Sequence, residues 1–297
     1  MTVTTQEARA WTTPGTQDAA QRTYASVKTA LQRSSHLAGL DYEVFLQGSY
    51  ANSTNTRGDS DVDVVVMLRS TFFPDTSPLD ITERQRHEAQ RTPGSHTPSD
   101  FRSRVHRALN DYYGAQRVDS RDKCLRVAKQ DGYVDADVVP AFQYRRYTSF
   151  PSYGPATYDE GIRIDPLTGG PIVNYPKMHK RNGERKNSAT ATQYKSTVRQ
   201  IKRLRRLAVD RGLVQKGAAP GYLLECMTYN LPDYLLSDSD DARRLRSAVY
   251  WLQDQSPEQM AATFKSCDEI HTLFGTDPGD HNQYIASNVM KQLWDLI

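Results

Sequence analysis

Cysteine is scarce in this chain of 297 residues: Cys124, Cys226 and Cys267 are the only three. They lie far apart, cannot all pair, and have no short metal-ligand spacing, which excludes a disulfide-stapled scaffold and makes a reducing cytoplasm the expected setting. Long apolar runs are also missing. Nothing approaches the roughly 18 to 20 residues needed to span a bilayer, and the Thr/Gln/Ala-rich start has neither a basic nor an apolar export region, so no membrane partner is expected. The seven histidines show no H-E-x-x-H or paired spacing, so a zinc hydrolase has no support and each reads as a surface or packing residue. Finally, 38 Lys and Arg against 35 Asp and Glu leave a net charge of only +3. That balance argues against a protein whose main task is to coat a nucleic acid, and no stable nucleic-acid partner is expected.

What is present describes a folded protein, 37% hydrophobic and 25% charged, with a mean hydropathy of -0.70. Its length suits two lobes. Ala20, Tyr24, Val27 and Leu31 recur at helical spacing and predict a helix, then a turn, over Gln17 to about Leu40. Tyr42 to Leu46 reads as a strand. Asp61 to Leu68, centred on Val64-Val65-Val66, reads as a buried strand. Pro74, Pro78, Pro93, Gly94 and Pro98 mark a long excursion with a short helix. Ser99 then caps a helix bearing Phe101, Val105, Leu109 and Tyr112. Cys124 to Ala128 and Tyr133 to Phe142 read as strands, and the Pro-, Gly- and Tyr-rich stretch from Tyr147 to Tyr175 as loops with short extended pieces such as Gly161 to Ile164. After Asn187, Tyr194, Val198, Ile201, Leu204 and Ala208 open a series of helices that runs to Ile297. The expected fold class is α+β: residues 1–190 form a mixed-sheet lobe with an N-terminal helix, and residues 191–297 a helical lobe.

Side chains alternate along a strand, so Asp61 and Asp63 project from one face, close enough that two like charges call for a cation. Mg²⁺ takes carboxylate, water and phosphate oxygens, and a pair of such ions is the equipment of phosphoryl and nucleotidyl transfer. A D-x-D on its own also fits a solvated strand edge. A second acidic cluster, Asp135-Ala136-Asp137-Val138-Val139-Pro140, could supply a third carboxylate, and spacing alone does not separate Asp135 from Asp137. Asp59 and Asp131 read as turn residues. Gly48-Ser49, at the end of the strand before Asp61, exposes backbone N–H groups and a hydroxyl suited to phosphate.

Gln47-Gly48-Ser49-Tyr50, Arg57-Gly58-Asp59-Ser60-Asp61-Val62-Asp63 and Ala136-Asp137-Val138-Val139-Pro140-Ala141 together resemble the polymerase-β-like nucleotidyltransferases. Leu46 to Asn55, with Gly58 to Asp63, resembles their bacterial cGAS/DncV-like branch, the CD-NTases. Val173 to His179 and Tyr222 to Asn230 are most similar to the E clade, whose members make cyclic dinucleotides for antiphage (CBASS) signalling. The resemblance implies a polymerase-β-like catalytic lobe, with the helical lobe closing the nucleotide cleft. It selects Asp137, three residues before Pro140, as the third acid. Asp61 and Asp63 would hold two Mg²⁺, with Mn²⁺ able to substitute, and Asp137 the ion nearer the nucleophile. Gln47, Gly48 and Ser49 would bind the triphosphate.

In clade members that use UTP, an Asn before Tyr-Pro helps to read uracil. Asn174 matches it, and its amide can both donate to and accept from a uracil edge, although a turn Asn gives the same pattern. The implied product is then cyclic UMP-AMP or cyclic di-UMP, made from UTP, with or without ATP, by a monomer and read by a separate effector protein. Lys195, Arg199, Lys202 and Arg206 form one basic stripe on the predicted helix. A solvated face is the usual reading of such a stripe, whereas relatives use lysines here to hold triphosphate, with Lys202 and Lys195 the matches. Tyr222 matches a base-stacking aromatic, but Gly221 stands where relatives often have Ser. Tyr229, Trp251 and Trp294 read as core. Two rivals remain: a toxin-type nucleotidyltransferase that modifies protein or tRNA, and a non-catalytic nucleic-acid sensor using the basic stripe.

Overall fold

Apolar β-branched residues in the first half of the chain and helical periodicity in the second give an α+β protein with a mixed sheet. The computed structural model describes residues 2–15, 17–56, 61–275 and 281–297. In chain order the elements are α1 (Thr5–Ala10), α2 (Asp18–Gln32), β1 (Tyr42–Gln47), α3 (Gly48–Asn52), β2 (Asp61–Asp75), α4 (Ile81–Ala89), α5 (Pro98–Tyr113), β3 (Val118–Ser120), β4 (Leu125–Val127) and β5 (Asp135–Ser149). There follow β6 (Thr157–Ile164), β7 (Ile172–Asn174), α6 (Pro176–Ala189), α7 (Gln193–Asp210), α8 (Gly221–Tyr229), α9 (Asp233–Leu236), α10 (Asp241–Asp254), α11 (Pro257–Thr263) and α12 (Gln283–Trp294).

The chain divides into two compact units. One takes in Gln17–Gln47 and the chain from Asp61 to Lys177, and holds the sheet. Its order is β1-β2-β5-β4-β3, with β6 joining the far half of β5 and β7 the edge of β6. The β2–β5 pair is parallel and every other pair antiparallel. Val62, Val64, Val65, Val66, Met67 and Leu68 are all at 0% exposure, as a strand covered on both faces requires. Phe101, Val105 and Leu109 of α5 are buried on one helical face.

The second unit takes in the residues before Gln17, the segment that opens at Gly48, and Met178–Ile297. Its core is built on Val198, Ile201 and Leu204 of α7, Leu223 and Leu224 of α8, Leu245 and Val249 of α10, and Val289, Met290 and Leu293 of α12. Tyr229, Trp251 and Trp294 pack against that core.

Several elements differ from expectation. The strand expected to stop at Leu68 continues as β2 to Asp75, with a register shift between Leu68 and Phe72. Thr97, not Ser99, caps α5, accepting a hydrogen bond from Asp100 N, with Pro98 in the first turn. The stretch expected to be loops holds the end of β5 and all of β6 and β7. Glycine makes this last pairing possible: a Cβ at Gly161 would lie 2.9 Å from the Asn174 carbonyl oxygen and 2.9 Å from the Tyr175 ring. The C-terminal part of the second unit starts at Met178, where a boundary near residue 190 was expected, and so takes in α6, which buries His179, Asn182 and Gly183 instead of an apolar stripe.

Gly161→Ala should therefore weaken the β6–β7 pairing. We expect a loss of about 1–3 kcal/mol, the usual cost of overpacking, measured as a lower urea midpoint with an unchanged slope.

Candidate active site

The parallel register of β2 and β5 sets Asp61 against Asp135 and Asp63 against Asp137, while the antiparallel β1 sets Gln47 against Asp63. Gln47, Asp63 and Asp137 thus form one row across three adjacent strands. Alternation puts Asp61 on the same face as Asp63, two residues nearer the strand end.

The two acids that spacing could not separate have different surroundings. Asp135 is buried and engaged, accepting 2.8 Å hydrogen bonds from Arg126 Nη2 and from the Lys129 N–H. Burial alone would raise its pKa, but these donors hold it below the ordinary carboxylate value. Asp137 faces the other aspartates. Burial, then the charges of Asp137 and Asp61, push Asp63 up to about 7. Three carboxylates at facing and alternate positions of two paired strands, with mutual repulsion as the main charge effect on Asp63, are a hard-oxygen donor set. They fit a divalent cation such as Mg²⁺. The Arg57 to Ser60 part of the motif lies outside the described residues.

Gly48 follows Gln47 directly, with φ at 71°, a conformation in which glycine avoids the strain of a side chain. Ser49 is the second residue of α3, and its carbonyl accepts from Thr54 N at 2.9 Å. Asn174 is the exposed last residue of β7, opposite Ile162. Tyr222 sits in the first turn of α8, 45% exposed, with its ring centroid 5.6 Å from that of His179 and 5.9 Å from that of His281.

The basic stripe on α7 is solvated only at its ends: Arg206 is exposed and Lys195 half-buried, but the two central residues are buried. Arg199 and Lys202 are 9% and 8% exposed. Arg199 donates to the carbonyls of Thr12 and Ser53 at 2.6 and 2.5 Å. Lys202 Nζ donates to the Thr54 hydroxyl, 3.1 Å, and pairs with Glu225, 3.0 Å. The Lys195 ammonium makes no hydrogen bond or ion pair among the described residues, and burial, with Lys180 and Arg199 adding to it, lowers its pKa.

Sequence reasoning assigned no role to three residues found here. Cys124 precedes β4, and its thiol, hydrogen-bonded to Asp137, is pushed up to about 12 by burial and then by that carboxylate. Glu225 was quoted only within a motif, yet it is 3% exposed and takes up Asn52, Thr54, His179 and Lys202. A lone acid inside the apolar run Leu223 to Met227 is a signal that could have found it. His179, expected to be a packing or surface residue, is a buried partner of Glu225 at 2.8 Å. Its ligand atoms and those of Cys226 and Cys267 lie within 4.8 Å of one another, which no sequence spacing could show. Contacts to Glu225, between Cys267 N and Cys226 Sγ, and between Tyr194 and Cys267 Sγ account for that cluster as core packing.

A mixed sheet that aligns paired aspartates beside a third, followed by a helical unit, is the layout of a nucleotidyltransferase. Residues 27–112 match the family model of the nucleotidyltransferase domain, and residues 181–297 that of the cGAS/DncV-like nucleotidyltransferase C-terminal helical domain. The chain is 41% identical over 287 residues to the cyclic UMP-AMP synthase of Rhodothermus marinus (strain SG0.5JP17-172), covering 96% of this chain and 94% of that one. It is 32% identical to the cyclic dipyrimidine nucleotide synthase CdnE of Legionella pneumophila, covering 90% and 89%. The solved structure of the R. marinus CdnE c-UMP-AMP synthase with Apcpp and Upnpp superposes with a TM-score of 0.88, covering 99% of this chain and 96% of that one, at 35% identity in the structural alignment. The chain belongs to the cGAS/DncV-like nucleotidyltransferases, the CD-NTases, and is CdnE-like. No helix among the described residues is long and apolar enough to cross a membrane.

The crowding at Asp63 has a measurable cost. Asp63→Asn should stabilise the chelator-treated protein at pH 8 by on the order of a few kcal/mol, whereas Asp135→Asn, which weakens the Arg126 contact, should destabilise it. Thermal unfolding in EDTA distinguishes the two. A lower midpoint for Asp63→Asn would contradict the electrostatic account.

Proposed function

We propose that this chain is a cyclic dinucleotide synthase that joins two nucleoside triphosphates into a uridine-containing ring, cyclic UMP-AMP or cyclic di-UMP, as a CBASS second messenger. The observation that carries this is the row of Gln47, Asp63 and Asp137 with Asp61 beside it. The resemblance to the R. marinus and L. pneumophila synthases supports the choice of product. In this reading a ribose hydroxyl of one nucleotide attacks the α-phosphorus of another. The new P–O bond forms as the bond to pyrophosphate breaks, and a second transfer of the same kind closes the ring.

Two Mg²⁺, for which Mn²⁺ can substitute, would be held by Asp61, Asp63 and Asp137 and would supply charge neutralisation at the phosphate oxygens. Asp137 also takes up the proton of the attacking hydroxyl. Gln47, the N–H groups of Gly48 and Ser49, and the Ser49 hydroxyl receive the triphosphate. Lys195 and Lys202 contribute positive charge to it, with Lys202 also engaged by Glu225. Asn174 reads the uracil edge and Tyr222 stacks on a base. The protein works as a monomer in the cytoplasm, and its product acts on a separate effector.

Burial of Arg199 and Lys202 removes half of the surface that a nucleic-acid sensor would use. Incubation with each NTP pair and Mg²⁺ or Mn²⁺, followed by mass spectrometry, should show a phosphatase-resistant cyclic dinucleotide and pyrophosphate. Asp61→Ala and Asp63→Ala should each abolish product. Radiolabelled NTP appearing instead in protein or tRNA would establish the toxin-type alternative. Asn174→Ala should relax the preference for UTP while cyclic product still forms, and an unchanged base preference would remove the uracil assignment.

A further inference from the structure

Glu225 lies on α8 between Leu224 and Cys226, both at 0% exposure. Its Oε1 accepts from Asn52 Nδ2 at 2.9 Å and contacts His179 Nε2 at 2.8 Å. Its Oε2 accepts from the Thr54 hydroxyl at 2.6 Å and from Lys202 Nζ at 3.0 Å. Four donors from α6, α7 and the segment around α3 saturate one carboxylate. Burial alone would raise the Glu225 pKa, but Lys202 and His179 hold it well below the carboxylate range. Stability is a weak reason to keep such a group, because well-packed apolar side chains of similar volume commonly do as well as a buried ion pair. A carboxylate with fixed partners supplies direction instead.

That direction bears on one short stretch. Thr54 N donates back to the Ser49 carbonyl at 2.9 Å. Ser53, between α3 and Thr54, has φ at 56°, in the left-handed region that a serine rarely adopts, and its carbonyl is held by Arg199 at 2.5 Å. The stretch therefore has unfavourable backbone at Ser53 and is fixed by buried charges at Ser53 and Thr54. Strained backbone persists only where its surroundings over-determine it.

We propose that Glu225, acting through Thr54 and Asn52, is a positioning residue that fixes the Gly48–Ser49 turn for the triphosphate. This rests on the proposed reading of that turn as the triphosphate contact. Glu225 itself touches no substrate in this role. It sets where Ser49 presents its hydroxyl and backbone N–H, and it orients Lys202 by holding the ammonium between its own carboxylate and Thr54.

Steady-state kinetics of product formation with UTP and ATP, using the full chain, test this together with thermal unfolding. Ser49→Ala should raise KM. Thr54→Val, which keeps shape but loses the hydroxyl, and Glu225→Gln should each raise KM for the triphosphates about tenfold or more with a much smaller change in kcat, the signature of lost binding rather than lost chemistry. Thr54→Ser, which restores the hydroxyl, should return KM to the wild-type value, and Thr54→Val should melt close to wild type. If Ser49→Ala raises KM but Thr54→Val leaves it unchanged, the positioning role is overturned and the turn reading stands. If Ser49→Ala leaves KM unchanged, the turn reading fails and the proposal with it. Should Glu225→Gln not fold, the Thr54→Val and Thr54→Ser pair decides alone. Loss of kcat in Thr54→Val with a large fall in melting temperature would mark a purely structural contact and overturn the proposal.

Discussion

Parallel pairing of β2 with β5 is the constraint on which the rest of the site depends. The pairing is driven by burial of Val62, Val64, Val65 and Val66 against Ala136, Val138 and Val139, and it leaves the aspartates no freedom to move apart. Each fully buried Val side chain is worth about 1.5–3 kcal/mol relative to an exposed one. Several together outweigh a repulsion of a few kcal/mol at Asp63. The apolar residues thus offset the cost of a site that is electrostatically unfavourable without a cation. Because the carboxylates sit on neighbouring strands rather than on loops, their separation is set by backbone hydrogen bonding.

The helical unit solves a different problem by a different means. The segment that opens at Gly48 belongs to this unit, and its described residues, 48–56, form no strand. Its place is set by charged side chains that α7 and α8 carry inward, chiefly Arg199, Lys202 and Glu225. Arg244, at 0% exposure, does similar work elsewhere in the unit, donating to Thr197 Oγ1 and Ser196 Oγ of α7 and to Asp241. Buried polar networks of this kind are directional and tolerate few substitutions. A search for apolar periodicity passes over them.

That difference explains what the sequence revealed. The valine run, the D-x-D pair and the leucine-spaced helices were legible because strand alternation and helical periodicity write them directly into residue type. Asp135 and Asp137 could not be separated that way, since their difference lies in Arg126 and the Lys129 N–H, donors that come from outside the motif. β6 and β7 were hidden by the Gly and Tyr residues that let them approach closely, and α6 by a buried face of His, Asn and Gly. α1 has a start that the sequence does write: Thr4 and Glu7 form a reciprocal capping box. Spacing alone shows Lys195, Arg199, Lys202 and Arg206 as one stripe but not that Arg199 and Lys202 are buried, because periodicity identifies a face and not what covers it.

The route of the chain bears on how this family can be recombined. Going from N- to C-terminus it passes between the two units four times, at Gln17, at Gly48, before Asp61 and at Met178. The family model for the helical domain begins at residue 181, but the unit it describes also contains a piece encoded far upstream, which carries Ser49, Asn52 and Thr54. A hybrid gene spliced at residue 181 would combine one parent's acceptor for that piece with the other parent's insert. Exchange between relatives therefore has to move Gly48 to Thr56 together with the helices, so inheritance across this chain is coupled between stretches that a linear domain boundary would treat as independent.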